Sequence, residues 1–151
     1  MTKAKRRPHI LVIEARFYDE IADPLLDGVR RVLKKAGATS ELVTVPGILE
    51  LPTSLKFAFS GRKRKTFAGA VVLGCAVKGE TDHYEHVCRE SMGGVTNVAL
   101  NLNIAVGNGI LTCPTWELAV ARADPDGEDD VGGRAAKACL AMIELKRRFG
   151  L

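Results

Sequence analysis

The chain has 151 residues, 46% of them hydrophobic and 26% charged, which describes a folded domain of ordinary size and excludes a disordered chain. No apolar run is long enough to span a membrane, and the basic start MTKAKRRPH lacks the apolar core of a secretory signal, so a cytoplasmic protein is expected. The net charge of +4 comes largely from Lys3–Arg7, Arg62–Lys65 and Lys146–Arg148; with aromatics at 5% and no reader motif, these runs read as solvated tails and a solvated loop, not as a nucleic-acid surface.

Residues 9–14, HILVIE, follow the basic tail (1–8) as a first strand. Residues 15–19 form a loop. Ile21, Leu25, Leu26, Val29, Val32 and Leu33 then recur at helical spacing, which predicts a helix over 20–36 with Asp19 as N-cap and Gly37 at its end. Residues 40–45 alternate as a second strand, stopped by Pro46-Gly47. A helix is predicted over 48–59, a basic loop over 60–65 and a third strand over 68–76. The next helix should run from about Thr81 to Leu102, with Gly93-Gly94 marking a kink or a close helix contact. Residues 104–111 read as a fourth strand, 112–123 as a helix with Pro114 near its start, and 124–131 as an acidic loop. The last helix is predicted over 133–149, with Ala136, Leu140, Ile143 and Leu145 as its apolar face.

The order β-α-β-α-β-α-β-α-α implies a parallel sheet with helices on both faces and right-handed crossovers. No repeat or linker interrupts it, so residues 9–151 are expected to be one domain. The carboxyl ends of parallel strands open on one edge, where ligands bind. The loops there carry Phe17, Glu50, Lys78 and His83, with Arg122 following. His83 falls in the first turn of a helix, whose free N–H groups suit an anion. An imidazole titrates near neutrality, at roughly 6.5, and a proton-transfer group beside an anion pocket is a candidate active site. Together they suit a small planar ligand and a phosphate, although no GxGxxG dinucleotide fingerprint is present. His83, His86 and Cys88 lie close in sequence, but HxxH with one Cys matches no standard zinc spacing, so no metal is expected. The four cysteines form no CxxC pair and read as reduced thiols.

Three segments carry a resemblance. VPGILELP (45–52), LGCAVKGETDHYEHV (73–87) and GNGILT (107–112), with ARFYDEIADPLLDG (15–28), resemble in the same order the signature segments of the lumazine synthase family, over about residues 9–149. The resemblance implies a flavodoxin-like three-layer α/β sandwich with a four-stranded parallel sheet. It implies the penultimate step of riboflavin biosynthesis: 5-amino-6-ribitylaminouracil condenses with 3,4-dihydroxy-2-butanone 4-phosphate to give 6,7-dimethyl-8-ribityllumazine, phosphate and water. No metal or organic cofactor is implied. By position, Phe17 is similar to the aromatic that stacks on the pyrimidine, and Ile48, Leu49 and Glu50 to the segment that binds the ring and ribityl chain. Cys75, Ala76 and Val77 match backbone against the ring. Gly79, Glu80 and Thr81 match the phosphate-binding turn, and His83 the proton-transfer residue. Asn108 and Arg122 match residues that reach a neighbouring subunit's site, Arg122 at the phosphate. The implied assembly is a homo-oligomer: a pentamer or a pair of pentamers, favoured over a shell of pentamers by the length of the 124–131 loop.

The chain also departs from the family's pattern. Lys78 stands where many members have arginine, Val131 where a lysine is usual, and Pro114, Trp116 and Leu118 replace residues usually acidic or polar. The apolar residues at 114–118 are either packing or a new subunit contact. The departures leave room for a non-catalytic lumazine- or flavin-binding or assembly protein as the alternative. A flavodoxin-like redox protein is a third reading, which the Gly-Glu-Thr-Asp-His segment opposes.

Overall fold

The two most apolar runs, HILVIEA and GAVVLGCAV, become the two central strands β1 (His9–Ala15) and β3 (Gly69–Val77) of the computed structural model, which describes residues 7–151. The basic tail expected at the start lies, except for residues 7 and 8, outside the described residues. β2 (Thr39–Val45) and β4 (Val106–Cys113) flank them in the order β2-β1-β3-β4, all parallel. Helices α1 (Asp19–Lys35), α2 (Leu51–Ser60), α3 (His83–Leu102), α4 (Trp116–Ala123) and α5 (Val131–Arg148) cover both faces. This is the flavodoxin-like α/β sandwich with a four-stranded parallel sheet.

Alternation along the strands sorts the core into two. Ile10, Val12, Val71, Leu73 and Leu111 face α1, α4 and α5. Leu11, Ile13, Ala70, Val72 and Ile110 face α2 and α3. Because both faces of β1 and β3 are covered, these strands read as continuous apolar runs. β2 does not share that burial. Its residues are exposed except for the half-buried Val45, so its alternation marks an uncovered edge strand.

Element ends differ from expectation in instructive ways. Tyr18, not Asp19, is the N-cap of α1, and Asp19 is the first helical residue with its carboxylate on Arg16. Gly37 ends α1 with φ +70°, its N–H on the Lys34 carbonyl while the Ala38 N–H reaches Leu33. Residues 48–50 form a 3-10 turn ahead of α2, so the predicted helix divides in two. Thr112 and Cys113 continue β4 by pairing with Ala76 and Val77, so α4 begins at Trp116 and not at 112. Leu145 is 40% exposed; the buried face of α5 is Ala135, Ala136, Cys139 and Ile143.

The Gly93-Gly94 pair marks a close helix contact. A Cβ at Gly94 would lie 2.7 Å from Pro52 Cγ of α2, whereas nothing stands within 4 Å of one at Gly93. Helix α5 is set still more tightly. A Cβ at Gly132 would overlap the Leu25 backbone of α1, and one at Gly107 of β4 would overlap the Ala135 carbonyl. Asp130, in the left-handed region at φ 35°, caps α5 by accepting the Gly133 N–H at 3.0 Å.

Candidate functional site

At the carboxyl end of β1, Glu14 is only 2% exposed. A buried carboxylate is costly unless paired and hydrogen-bonded. Arg16 supplies a two-pronged partner, Nε to Oε1 and Nη2 to Oε2, both at 3.0 Å, and Thr44 of β2 donates its hydroxyl at 3.0 Å. Arg16 Nη1 donates to Asp19 at 3.1 Å and Asp23 at 2.7 Å. These hydrogen bonds, that of Glu14 foremost, raise the guanidinium above its ordinary value. The loop is thereby tied to β1, β2 and α1 at once, and its next residue, Phe17, projects with 72% of its surface exposed. Tyr18 stands edge-on to Phe17 at 4.9 Å, and Trp116 edge-on to Tyr18 at 5.2 Å.

The 3-10 turn after β2 forms a second wall. It presses against β3 because Gly74 has no side chain; a Cβ there would overlap Ile48. Ile48 is buried, while Leu49 and Glu50 stay exposed. The third wall is the end of β3. Cys75 is buried, and burial first, then the neighbouring Cys113 and Cys88, pushes its thiol up to about 12. It stays a neutral thiol, which fits a backbone contact and not a nucleophile.

Past β3, Lys78 continues the ladder by donating its N–H to the Cys113 carbonyl at 3.0 Å, with its side chain exposed. Gly79 faces open space, with no atom within 4 Å of where a Cβ would stand. Thr81 Oγ1 accepts the His83 N–H at 3.3 Å. α3 then opens at exposed His83, and its N-cap, Asp82, makes no side-chain cap bond. The chain thus presents the positive end of a 20-residue helix beside an uncrowded glycine turn.

These walls enclose a cavity of about 300 Å3 lined by Phe17, Ile48, Leu49, Glu50, Cys75, Ala76, Val77, Gly79, Thr81 and His83. Tyr18, Gly47, Tyr84 and Val87 complete the lining and were not anticipated. Tyr84 and Val87 follow His83 by one and four residues on α3, so helical spacing was a usable signal for Val87. The Tyr84 hydroxyl is raised by burial and then by Cys88. Glu80 and Lys78 do not line this cavity, nor do Asn108 and Arg122. Asn108 is exposed on β4, with its Oδ1 accepting the Ile110 N–H at 2.9 Å; Arg122 is half-buried in α4, close enough to Cys113 to pull that thiol's pKa down against the larger upward effect of burial. Among the described residues, no three His, Cys, Asp or Glu side chains are grouped to hold a metal ion.

The departures at 114–118 and 131 divide. Trp116 is half-buried against Tyr18 and the core, which is packing. Leu118 is 38% exposed. Val131 opens α5 and packs against the core on the α1 face, outside the cavity.

A doubly wound parallel sheet, with an aromatic-lipped cavity and an anion-suited helix end at its carboxyl edge, defines an α/β protein whose cavity suits a planar molecule beside a charged one. Comparison with known proteins gives the particular family. The family model described as 6,7-dimethyl-8-ribityllumazine synthase matches residues 7–147, and the chain belongs to this family of riboflavin-biosynthesis enzymes. It is 47% identical to the 6,7-dimethyl-8-ribityllumazine synthase of Paramagnetospirillum magneticum over 146 residues, covering 94% of this chain and 97% of that one. It is 47% identical to synthase 1 of Rhizobium meliloti over 150 residues, 97% of each chain. With the enzyme of Sphingopyxis alaskensis it shares 49% over 144 residues, 95% of this chain and 98% of the other. Among the described residues, no helix is long and apolar enough to cross a membrane.

Proposed function

We propose that the cavity at the carboxyl edge of the sheet is where this chain condenses 5-amino-6-ribitylaminouracil with 3,4-dihydroxy-2-butanone 4-phosphate. The observation that carries the assignment is the meeting, in one cavity, of Phe17, the 48–50 turn, the end of β3 and the Gly79–His83 turn, which come from three separate loops. Phe17 stacks on the pyrimidine, and Ile48, Leu49 and Glu50 hold the ring and ribityl chain. The backbone at Cys75, Ala76 and Val77 lies against the ring edge. Gly79, Glu80 and Thr81, with the start of α3, hold the phosphate.

Imine formation, loss of phosphate and ring closure each move a proton, and His83 at the cavity wall takes and returns it. A phosphate held by helix N–H groups and a guanidinium leaves more readily. Binding both substrates side by side supplies a further share of the rate. The guanidinium is Arg122 of an adjacent subunit, and Asn108 reaches across the same boundary. The working form is a ring, a pentamer or a pair of pentamers, in the cytoplasm, each subunit one domain after a short basic tail, and an isolated subunit is inactive.

The test is turnover of the two substrates followed by lumazine fluorescence, against a no-enzyme blank and a His83→Ala variant. The blank matters because the substrates can condense unaided. An enzyme-dependent rate that drops roughly 100-fold in the variant is expected for loss of a general acid–base group. A variant as fast as the parent would remove His83 from the mechanism.

A further inference from the structure

Phe17 is the most exposed of the large hydrophobic side chains in the cavity wall, and its backbone and its ring are held by different means. The Arg16 network fixes the backbone from one side. The ring leans on Tyr18, at 4.9 Å and 82° between planes. Tyr18 leans in turn on Trp116, at 5.2 Å and 78°. We propose that Trp116 is a positioning residue for the pyrimidine substrate, holding Phe17 in its stacking orientation through Tyr18.

Both supports are themselves anchored. The Tyr18 carbonyl accepts the Ile21 and Ala22 N–H groups at 3.2 and 2.9 Å as α1 begins. Trp116 is the first residue of α4, directly after Thr115, whose Oγ1 caps the helix by accepting the Leu118 N–H at 3.2 Å. Tyr18 and Trp116 are half-buried against the α1 face of the core, so neither ring is free to swing. An exposed phenyl ring with several rotamers open to it loses entropy when a ligand fixes it; a ring already braced edge-on loses less. Trp116 lies outside the cavity lining, so its contribution passes through the other two rings.

The proposal rests on the reading of Phe17 as the ring that stacks on the pyrimidine. The experiment is therefore a double-mutant cycle on the assembled enzyme, with Trp116→Leu, Phe17→Leu and both together, measuring KM for each substrate. Trp116→Leu is expected to raise KM for the ribitylaminouracil roughly 2- to 10-fold, the range set by one aromatic pair. KM for the butanone phosphate should stay unchanged, and Trp116→Phe should restore most of the loss. In the Phe17→Leu background the same change should have no further effect, because the ring it braces is gone. A purely structural Trp116 would move both KM values, or act equally in both backgrounds, and either result overturns the proposal. If Phe17→Leu itself leaves the pyrimidine KM unchanged, the assignment of Phe17 fails and this inference with it; if only Trp116→Leu is silent, the inference alone fails. Should Trp116→Leu not fold, Tyr18→Leu breaks the same ladder at its middle and is read by the same two criteria.

Discussion

The loops after β1, β2 and β3 converge, and the loop after β4 does not. The first three bring residues from 17 to 83 into one cavity. The fourth strand keeps pairing with β3 as far as Cys113, and α4 then carries Arg122 away from that cavity. One region is thus a receptacle with walls and a helix end but no arginine on its lining. The other carries an exposed asparagine and a half-buried arginine, neither of them on the lining of that cavity. In the ring proposed above, symmetry completes the site: one copy's second region is set against the next copy's first, and a single kind of chain suffices.

The sharpest way to break this comparison is to damage the regions separately. His83→Ala and Arg122→Ala should each lower turnover on the order of 100-fold, since in the proposed reaction one removes the proton carrier and the other the phosphate contact. Rings reassembled from an equal mixture of the two variants should regain about a quarter of parental activity, because each site draws its two halves from independently chosen subunits. Mixed rings no faster than the parts would show that both residues serve one chain's site.

Next in size is the base of the receptacle. Glu14→Ala removes a buried carboxylate that holds Arg16 and Thr44, and should cost about 2–3 kcal/mol in urea unfolding. Pyrimidine KM should rise as well, because the loop carrying Phe17 loosens. A stability change below about 0.5 kcal/mol would mean the network is not what ties the loop down.

Gly79→Ala is a finer probe. With nothing within 4 Å of the new methyl group, stability should change by less than about 0.5 kcal/mol. KM for the phosphate substrate alone should rise severalfold as the methyl crowds the anion, measured by varying the butanone phosphate at saturating pyrimidine. Equal shifts for both substrates would move the phosphate elsewhere.

An effect confined to alkaline pH lies under the second region, where Cys139 of α5 is fully buried against β4. Burial pushes its thiol from an ordinary 9.0 up to about 12. The folded chain therefore keeps a proton that the unfolded chain loses, and stability falls as pH rises from about 9 toward 12. The slope approaches at most about 1.4 kcal/mol per pH unit for this one thiol. Urea midpoints between pH 8.5 and 10.5 should fall less steeply in Cys139→Ala than in the parent.

How much of this was legible beforehand depends on the kind of signal. α1 was legible because six apolar residues repeat at one period, and β3 because burial on both faces leaves an unbroken apolar run. β2 was legible as a strand from its alternation, but its place as an edge that the helices leave bare follows from the strand order and not from any local signal. The start of α4 was missed because Pro114 looks like a helix beginning, while the pairing of Thr112 and Cys113 with β3 is a tertiary fact. In the site, Ile48, Leu49, Glu50, Gly79, Thr81 and His83 sit on loops whose place follows from strand order, and they line one cavity. The Glu14–Arg16–Asp19–Asp23 network crosses from strand through loop into helix, so no single period runs through it, and Thr44 joins it from another strand. Nor does anything local connect Tyr18 to Trp116 across nearly a hundred positions.

The seat of α5 has a consequence for how the protein is made. Its glycine-lined contacts reach back to Leu25 in α1 and to Gly107 in β4, so α5, made after both, closes a face begun by α1. Until it arrives, Leu25, Leu26 and Val29 have no cover from that side. The nascent chain is vulnerable between the making of β4 and of α5, when all four strands already exist but one flank is still open to chaperones or to its siblings on the same message.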